Sequence, residues 1–284
     1  MRFLKVLISL MALTLNSAFV SIVLLLIKLF WLLSGFRKFY DESTKFFYFI
    51  WIKVNEIILV DFLKIHVDFI GVDQLSPNKW YHIVSNHQSF MDILLIQIFC
   101  YRNNLNNKFF MKQSLLFFPF IGISCWGLDF VFIKRFSRKD IKDSPDKVSK
   151  LHNYIAEKCK SYMSTPCAVV NFVEGTRANK QKMQHSKYKK LLAPQPMGLS
   201  LMINAIPVAE EVIDFSINYS ILEPSFLKIL YQQPSKTTCS YRVVAVPDGL
   251  SGNYRSDKSF RKRFNSWLQQ FWLEKDNILD NLTR

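Results

Sequence analysis

Residues 6–27 are almost wholly apolar, about the length a helix needs to cross a bilayer core. Arg2 and Lys5 precede this run, Lys28 interrupts it, apolar character resumes to Phe36, and Arg37-Lys38 close it. A cleaved signal peptide needs a small-residue cleavage site. Asn16-Ser17-Ala18 is a poor one and the apolar run continues through it, so an uncleaved N-terminal anchor over residues 1–45 is expected. A full span and a kinked helical hairpin in one leaflet both fit the pattern. Residues 46–64 space Lys53, Glu56, Asp61 and Lys64 among aromatics and aliphatics, which predicts a helix with a broad apolar face. That face either packs on the catalytic domain or lies in the membrane interface.

Beyond this point short apolar runs alternate with longer helical patterns. Strands are predicted near residues 65–72, 80–84, 108–111, 167–173, 212–221 and 240–246. Residues 205–208, Ala-Ile-Pro-Val, read as a buried strand interrupted by Pro207. Helices are predicted over 93–99, over a segment placing Val148, Leu151, Ile155, Cys159 and Tyr162 on one face, and over the tail from Ser259. There Phe260, Phe264, Trp267, Leu268 and Phe271 recur at helical spacing. This alternation predicts an α/β domain over residues 46–284, with a mixed central sheet flanked by helices. The aromatic stretch 114–126 reads either as core or as a wall for a fatty acyl chain.

Half of the 284 residues are hydrophobic and 26 are Phe, whereas only 8 Gly and 10 Pro occur, against repeats or long disorder. The net charge of +15 implies an anionic partner: an acidic lipid surface, a phosphorylated substrate or nucleic acid. The basic residues are spread over several loops without a nucleic-acid-binding motif, so no nucleic acid is expected. Lys180, Lys182, Lys187, Lys189 and Lys190 form a run without an acid, a solvated loop or one facing phosphate or lipid. The five cysteines lack paired ligand spacings, which argues against zinc and a disulfide framework and fits a reduced cytoplasmic face. No metal and no cofactor are expected.

The chemistry gathers around residues 84–92, Val-Ser-Asn-His-Gln-Ser-Phe-Met-Asp. A strand ends at Ser85, and Ser89 with Asp92 three residues on resembles a capping box, so a helix starts inside the motif. His87 then occupies the bend and Asp92 the first helical turn. A carboxylate on one imidazole nitrogen fixes the tautomer and raises the basicity of the other, which makes a general base. A satisfied core histidine beside a helix cap reads the same on these residues alone.

Further on, residues 171–177, Asn-Phe-Val-Glu-Gly-Thr-Arg, end a second apolar strand abruptly, and Lys134-Arg135 close a third extended run. An Asn-His-four-residues-Asp motif followed by Glu-Gly-Thr-Arg resembles the glycerolipid acyltransferase family, which includes the 1-acylglycerol-3-phosphate acyltransferases. The likeness is closest to a Gram-negative inner-membrane subgroup of acyltransferases related to lysophosphatidate and lysocardiolipin enzymes. It extends to residues 125–129, 171–175 and 257–282. Two departures stand out: Val173 occupies the place of the family's usual Pro, and Gly127 lies farther upstream of Arg135 than is usual.

The resemblance implies an O-acyltransferase moving a fatty acyl group from acyl-CoA or acyl carrier protein to a lysophospholipid hydroxyl, most simply 1-acylglycerol-3-phosphate giving phosphatidic acid. Lysophosphatidylglycerol or lysocardiolipin are alternative acceptors. His87 is the expected general base and Asp92 its partner. Arg177 and Arg135, each ending an apolar segment, suit a bidentate grip on phosphate, and Lys134 can share or replace the role of Arg135. Gly175 lets backbone approach the ligand closely, and Thr176 can donate a hydrogen bond. The resemblance assigns Glu174 and Arg177 to the acceptor's glycerol-phosphate and associates the Pro207 segment with acyl-donor binding. It also implies a bacterial inner membrane location with the catalytic domain on the cytoplasmic side.

Overall fold

The computed structural model describes residues 1–133, 145–233 and 236–282. In chain order its elements are α1 (Arg2–Ser34), α2 (Arg37–Glu56), β1 (Val67–Ile70), β2 (Tyr81–Ser85), α3 (Met91–Arg102), β3 (Asn107–Lys112), α4 (Ile121–Gly127) and β4 (Val131–Ile133). There follow α5 (Pro145–Cys159), β5 (Ala168–Phe172), α6 (Lys180–Met183), α7 (Pro196–Ala205), β6 (Glu211–Tyr219), α8 (Phe226–Gln232), β7 (Thr237–Ala245) and α9 (Lys258–Leu282). The chain divides into two compact units, residues 1–65 with 108–154, and residues 66–107 with 155–284. The expected boundary after residue 45 falls inside α2.

In the first unit α1 runs unbroken through Lys28 and ends where Gly35 adopts the left-handed conformation (φ 73°) and donates to Trp31 O at 2.8 Å. Glycine pays no Cβ penalty there, so the chain can turn and start α2 two residues later. Asn16 donates to Trp51 O (3.1 Å) and Asn55 Oδ1 (2.9 Å), pinning α1 to α2. Lys28, 5% exposed, is held by Asp129 and by the Tyr40 hydroxyl at 3.1 Å, among the rings of Trp31 and Trp126. The opposite face of α1 leaves Phe3, Leu7, Met11, Leu15, Phe19 and Ile22 exposed. Among the described residues, α1 is the one helix long and apolar enough to cross a membrane. β3 and β4 pair in parallel in this unit. The aromatic stretch before and within α4 is not core: Phe117 is 82% exposed, and Phe118, Ile123 and Trp126 also face outward.

The second unit is built on strands in the order β1-β7-β6-β2-β5, parallel throughout except for the antiparallel β6–β7 pair. β2 is buried along its whole length, as expected of a strand with neighbours on both sides and both faces covered. On one face Phe99 of α3 meets Phe69, Phe215 and Tyr241. On the other, α9 lays Lys275 beside Asp214 and Ser216, the alternate residues of β6. Mixed strand directions and helices on both faces agree with the α/β architecture expected from sequence.

One expected strand is absent. Ala205 ends α7 and residues 206–209 form a turn closed by Ala209 N–H donating to Ile206 O at 3.1 Å. The apolar helix Pro196–Ala205 runs straight into this turn, so periodicity alone could not separate a short strand from a helix end. Ile206 and Ala209 are buried, whereas Pro207 and Val208 are exposed.

Candidate active site

β2, β5 and β6 run in parallel side by side, with Ser85 in register with Phe172 and Phe215. Open sheets bind ligands beyond the carboxyl ends of such strands; β2 and β5 end here, while β6 runs on beside β7 to Tyr219. Past Ser85, the Asn86 side chain prolongs the ladder, donating to Ile217 O and accepting from Ile217 N, both at 2.9 Å. Gln88 Nε2 donates to the same Ile217 carbonyl at 2.9 Å. The bend carrying His87 is thereby fastened to the end of β6.

Asp92 sits in the first turn of α3 and is fully buried. Its Oδ2 lies 2.9 Å from His87 Nδ1 and accepts the N–H groups of Gln88 (2.6 Å) and Ser89 (2.8 Å). The bond back to Ser89 N–H is half of the capping box read from sequence. Its Oδ1 accepts the Tyr219 hydroxyl at 2.5 Å. With Asp92 as the carboxylate acceptor, Nδ1 carries the imidazole proton and Nε2 keeps its lone pair. The imidazole stacks on Phe172 at 4.0 Å between centroids, 20° from coplanar, and its side chain is 16% exposed. A ring fixed by a plate on one face and a carboxylate at one nitrogen points its remaining nitrogen one way. Such a group can take a proton from a hydroxyl brought to Nε2.

The end of β5 supplies the opposite wall. The Glu174 carboxylate, 3% exposed, accepts His87 N–H through Oε2 and Leu192 N–H through Oε1, both at 2.8 Å. Burial pushes this carboxyl up to about 7 against the two backbone donors and Lys275, which pull it down. Ala178 N–H donates to His87 O at 2.7 Å, a second tie between the two loops. Gly175 has φ 68°, and a Cβ there would stand 3.2 Å from Gln195 Cγ. Thr176 Oγ1 accepts from Lys182 Nζ at 2.7 Å, and the same ammonium bonds Arg177 O at 3.0 Å. Arg177 is exposed and its guanidinium makes no ion pair among the described residues.

A buried acid–imidazole pair joined to a Glu-Gly-Thr-Arg loop is a specific arrangement. Residues 66–205 match the Acyltransferase family model. The matched stretch runs from the start of β1 to the end of α7 and contains His87, Asp92 and Glu174 through Arg177. Relatives agree: the chain is 24% identical over 242 residues to an uncharacterized acyltransferase of Saccharomyces cerevisiae, covering 70% of this chain and 58% of that protein. It is 23% identical over 213 residues to 1-acyl-sn-glycerol-3-phosphate acyltransferase 2 of Arabidopsis thaliana, covering 70% and 50%. The chain thus spans little more than half the length of these relatives. The crystal structure of the 1-acyl-sn-glycerophosphate (LPA) acyltransferase PlsC of Thermotoga maritima superposes with a TM-score of 0.54 at 17% identity, over 96% of each chain. That likeness shows a shared fold.

The structure brings His87, Asp92 and Glu174 together and sets Gly175, Thr176 and Arg177 on the adjoining loop. Pro207 lies elsewhere: it precedes Glu211, which is level with Tyr81 at the start of β2, so it stands at the opposite end of the sheet from His87. Lys134 and Arg135 lie outside the described residues. Sequence reasoning missed Tyr219, Phe172 and the Asn86 clamp. Phe172 and Tyr219 are ordinary strand residues in sequence, and only strand order brings them to Asp92 and His87.

Proposed function

We propose that this chain transfers a fatty acyl group from a thioester, acyl-CoA or acyl carrier protein, to the free hydroxyl of a lysophospholipid, 1-acylglycerol-3-phosphate before others. The observation that carries the reading is the His87–Asp92 pair at the exit of β2, with Nε2 unengaged among the described residues. His87 Nε2 removes the acceptor's hydroxyl proton as its oxygen attacks the thioester carbonyl. Asp92 stabilises the imidazolium that forms, as the acid does in a serine-hydrolase triad. Collapse of the tetrahedral intermediate expels the thiolate, the imidazolium returns the proton to sulfur, and no covalent enzyme intermediate is needed. General base catalysis of this kind contributes ~10²–10⁴ in rate.

Arg177, exposed at the edge of the site and unpaired among the described residues, is suited to hold the acceptor's phosphate, with Thr176 and the backbone at Gly175 beside it. Glu174 acts from beneath, through the two loops it joins. Lys134 and Arg135 are proposed as further phosphate ligands on charge and sequence position alone. The exposed apolar face of α1 supports association with a bilayer, and the five free, buried cysteines accord with a cytoplasmic catalytic domain at a bacterial inner membrane. The test is purified protein given radiolabelled acyl-CoA and a panel of lysophospholipids. Transfer to lysophosphatidate lost in His87→Ala, with the variant still folded and membrane-bound, is the expected result. Undiminished transfer by His87→Ala would refute the mechanism.

A further inference from the structure

We propose that Tyr219 is a positioning residue of the acyl-transfer site, its phenol holding the Asp92 carboxylate in the one rotamer that presents Oδ2 to His87. The inference rests on the function proposed above and adds a residue outside the Acyltransferase stretch of residues 66–205. Oδ2 of Asp92 receives three donors, His87 Nδ1, Gln88 N–H and Ser89 N–H. Among the described residues Oδ1 receives the Tyr219 hydroxyl, at 2.5 Å. Without that donor Oδ1 is a buried, unsatisfied half of a charge. The carboxylate then gains by turning Oδ1 toward the donors that now serve Oδ2.

Tyr219 is well placed to prevent this. It is the last residue of β6, 6% exposed, in register with Thr237 on β7 and two residues beyond Ile217, whose backbone clamps Asn86 and Gln88. One strand end therefore fixes both the bend that carries the base and the acid that orients it. The phenol keeps its proton, since burial and the adjacent Asp92 push its pKa well above the ordinary value. It is a donor at every pH at which the enzyme works. The other titratable groups facing this cluster are Cys239 on β7 and Glu174 beneath His87.

A hydrogen bond to the charged form of a carboxyl favours that form. Losing the Tyr219 donor disfavours the carboxylate form of Asp92 and leaves more of its negative charge to hold a proton on His87. Protonating either group stops catalysis, so both effects move the acid limb of kcat/KM to higher pH. Glu174 is unchanged between parent and variant and cancels from the comparison.

The experiment uses the full chain in vesicles. Tyr219→Phe keeps the ring and removes the hydroxyl. The expected outcome is a fall in kcat on the order of ten-fold per folded molecule with acceptor KM unchanged. The acid limb should rise by about half a pH unit or more. The same rise is expected in the His87 titration followed by 15N-histidine NMR. Incorporating a fluorinated tyrosine at position 219, a stronger donor of the same shape, should move both pH readouts the other way, and it carries the test if Tyr219→Phe does not fold. Parental kcat and unmoved titrations in these variants, with or without lowered thermal stability, overturn the proposal and leave Tyr219 a packing residue. If the unsubstituted protein transfers no acyl group, the proposed function falls. The His87 titration still decides whether Tyr219 governs the pair.

Discussion

Replacing Glu174 by Gln preserves shape and removes charge, and the structure sets opposing consequences for it. Both carboxylate oxygens accept backbone N–H groups, from His87 and Leu192, at 2.8 Å. An amide has one acceptor oxygen, so its NH₂ must face the other N–H and leave a buried donor unpaired. That costs ~1–3 kcal/mol. Against it stands the relief of a buried charge. Burial raises the Glu174 carboxyl from 4.5 to about 7. A carboxyl raised in the folded state lends full stability below its unfolded pKa, and that contribution declines as pH climbs through the folded one. At about 1.36 kcal/mol per pH unit, the decline between 4.5 and about 7 amounts to about 3 kcal/mol.

The Gln variant lacks this decline. Near pH 5 it should be less stable than the parent by ~1–3 kcal/mol, and by about pH 8 the gap should close or reverse. His82, fully buried with its pKa pushed down to about 4 by burial, contributes a slope of opposite sign. Its neutral form is favoured in the fold, so its contribution is lost as pH falls below about 6.5. His82 is common to both proteins and drops out of the difference. Urea unfolding in detergent micelles, followed by tryptophan fluorescence at several pH values, reads the gap directly. A stability difference constant from about pH 5 to about pH 8 would show that burial does not raise the Glu174 carboxyl, and the reasoning would fail.

Arg177→Ala should raise the KM for a phosphate-bearing acceptor by ~10-fold or more while leaving kcat nearly intact; steady-state kinetics with lysophosphatidate checks it, and parental KM would remove Arg177 from the acceptor site. Gly175→Ala forces a side chain into φ 68° and within 3.2 Å of Gln195 Cγ. It should cost ~1–2 kcal/mol, read as a lowered unfolding midpoint, with activity falling because Ala178 and Glu174, which tie this loop to His87, are its near neighbours.

Much of this was legible in the sequence because the signals were local. The strand before the motif, the helix opening between Ser89 and Asp92, and the capping bond from Ser89 N–H to Asp92 each depend on residues a few positions apart. The same holds for the tail helix, predicted from Ser259 and found as Lys258–Leu282. What could not be read depends on strand order. Tyr219 is 127 residues from Asp92, and no spacing announces that β6 lies beside β2. Glu174 shows the same limit from the other side. The resemblance assigns it to the acceptor's glycerol-phosphate, and no spacing announces that its carboxylate faces inward to two backbone amides. The strand expected over residues 205–208 failed for a different reason: four apolar residues after an apolar helix carry no period of their own.

The tail helix explains how two loops from different strands can hold a single geometry. Trp272 Nε1 donates to Leu192 O at 2.8 Å, and Asp276 accepts the N–H groups of Lys189 (2.9 Å) and Lys190 (2.8 Å). The chain after Arg177 is thus fastened to α9 just where Leu192 N–H reaches Glu174. Between Trp272 and Asp276, Lys275 is fully buried, donating to Asp214 Oδ1 (2.7 Å), Phe215 O (2.6 Å) and Ser216 Oγ (2.9 Å). Burial pulls its pKa down, with Asp214 opposing. A buried ammonium is tolerated only when its protons are placed, so these three acceptors fix α9 in register against β6. The register of α9 sets the height of residues 189–192, that loop sets Glu174, and Glu174 sets the backbone of His87. The bend that carries His87 therefore inherits its position from contacts spread across the second unit, although His87 and Asp92 themselves lie five residues apart.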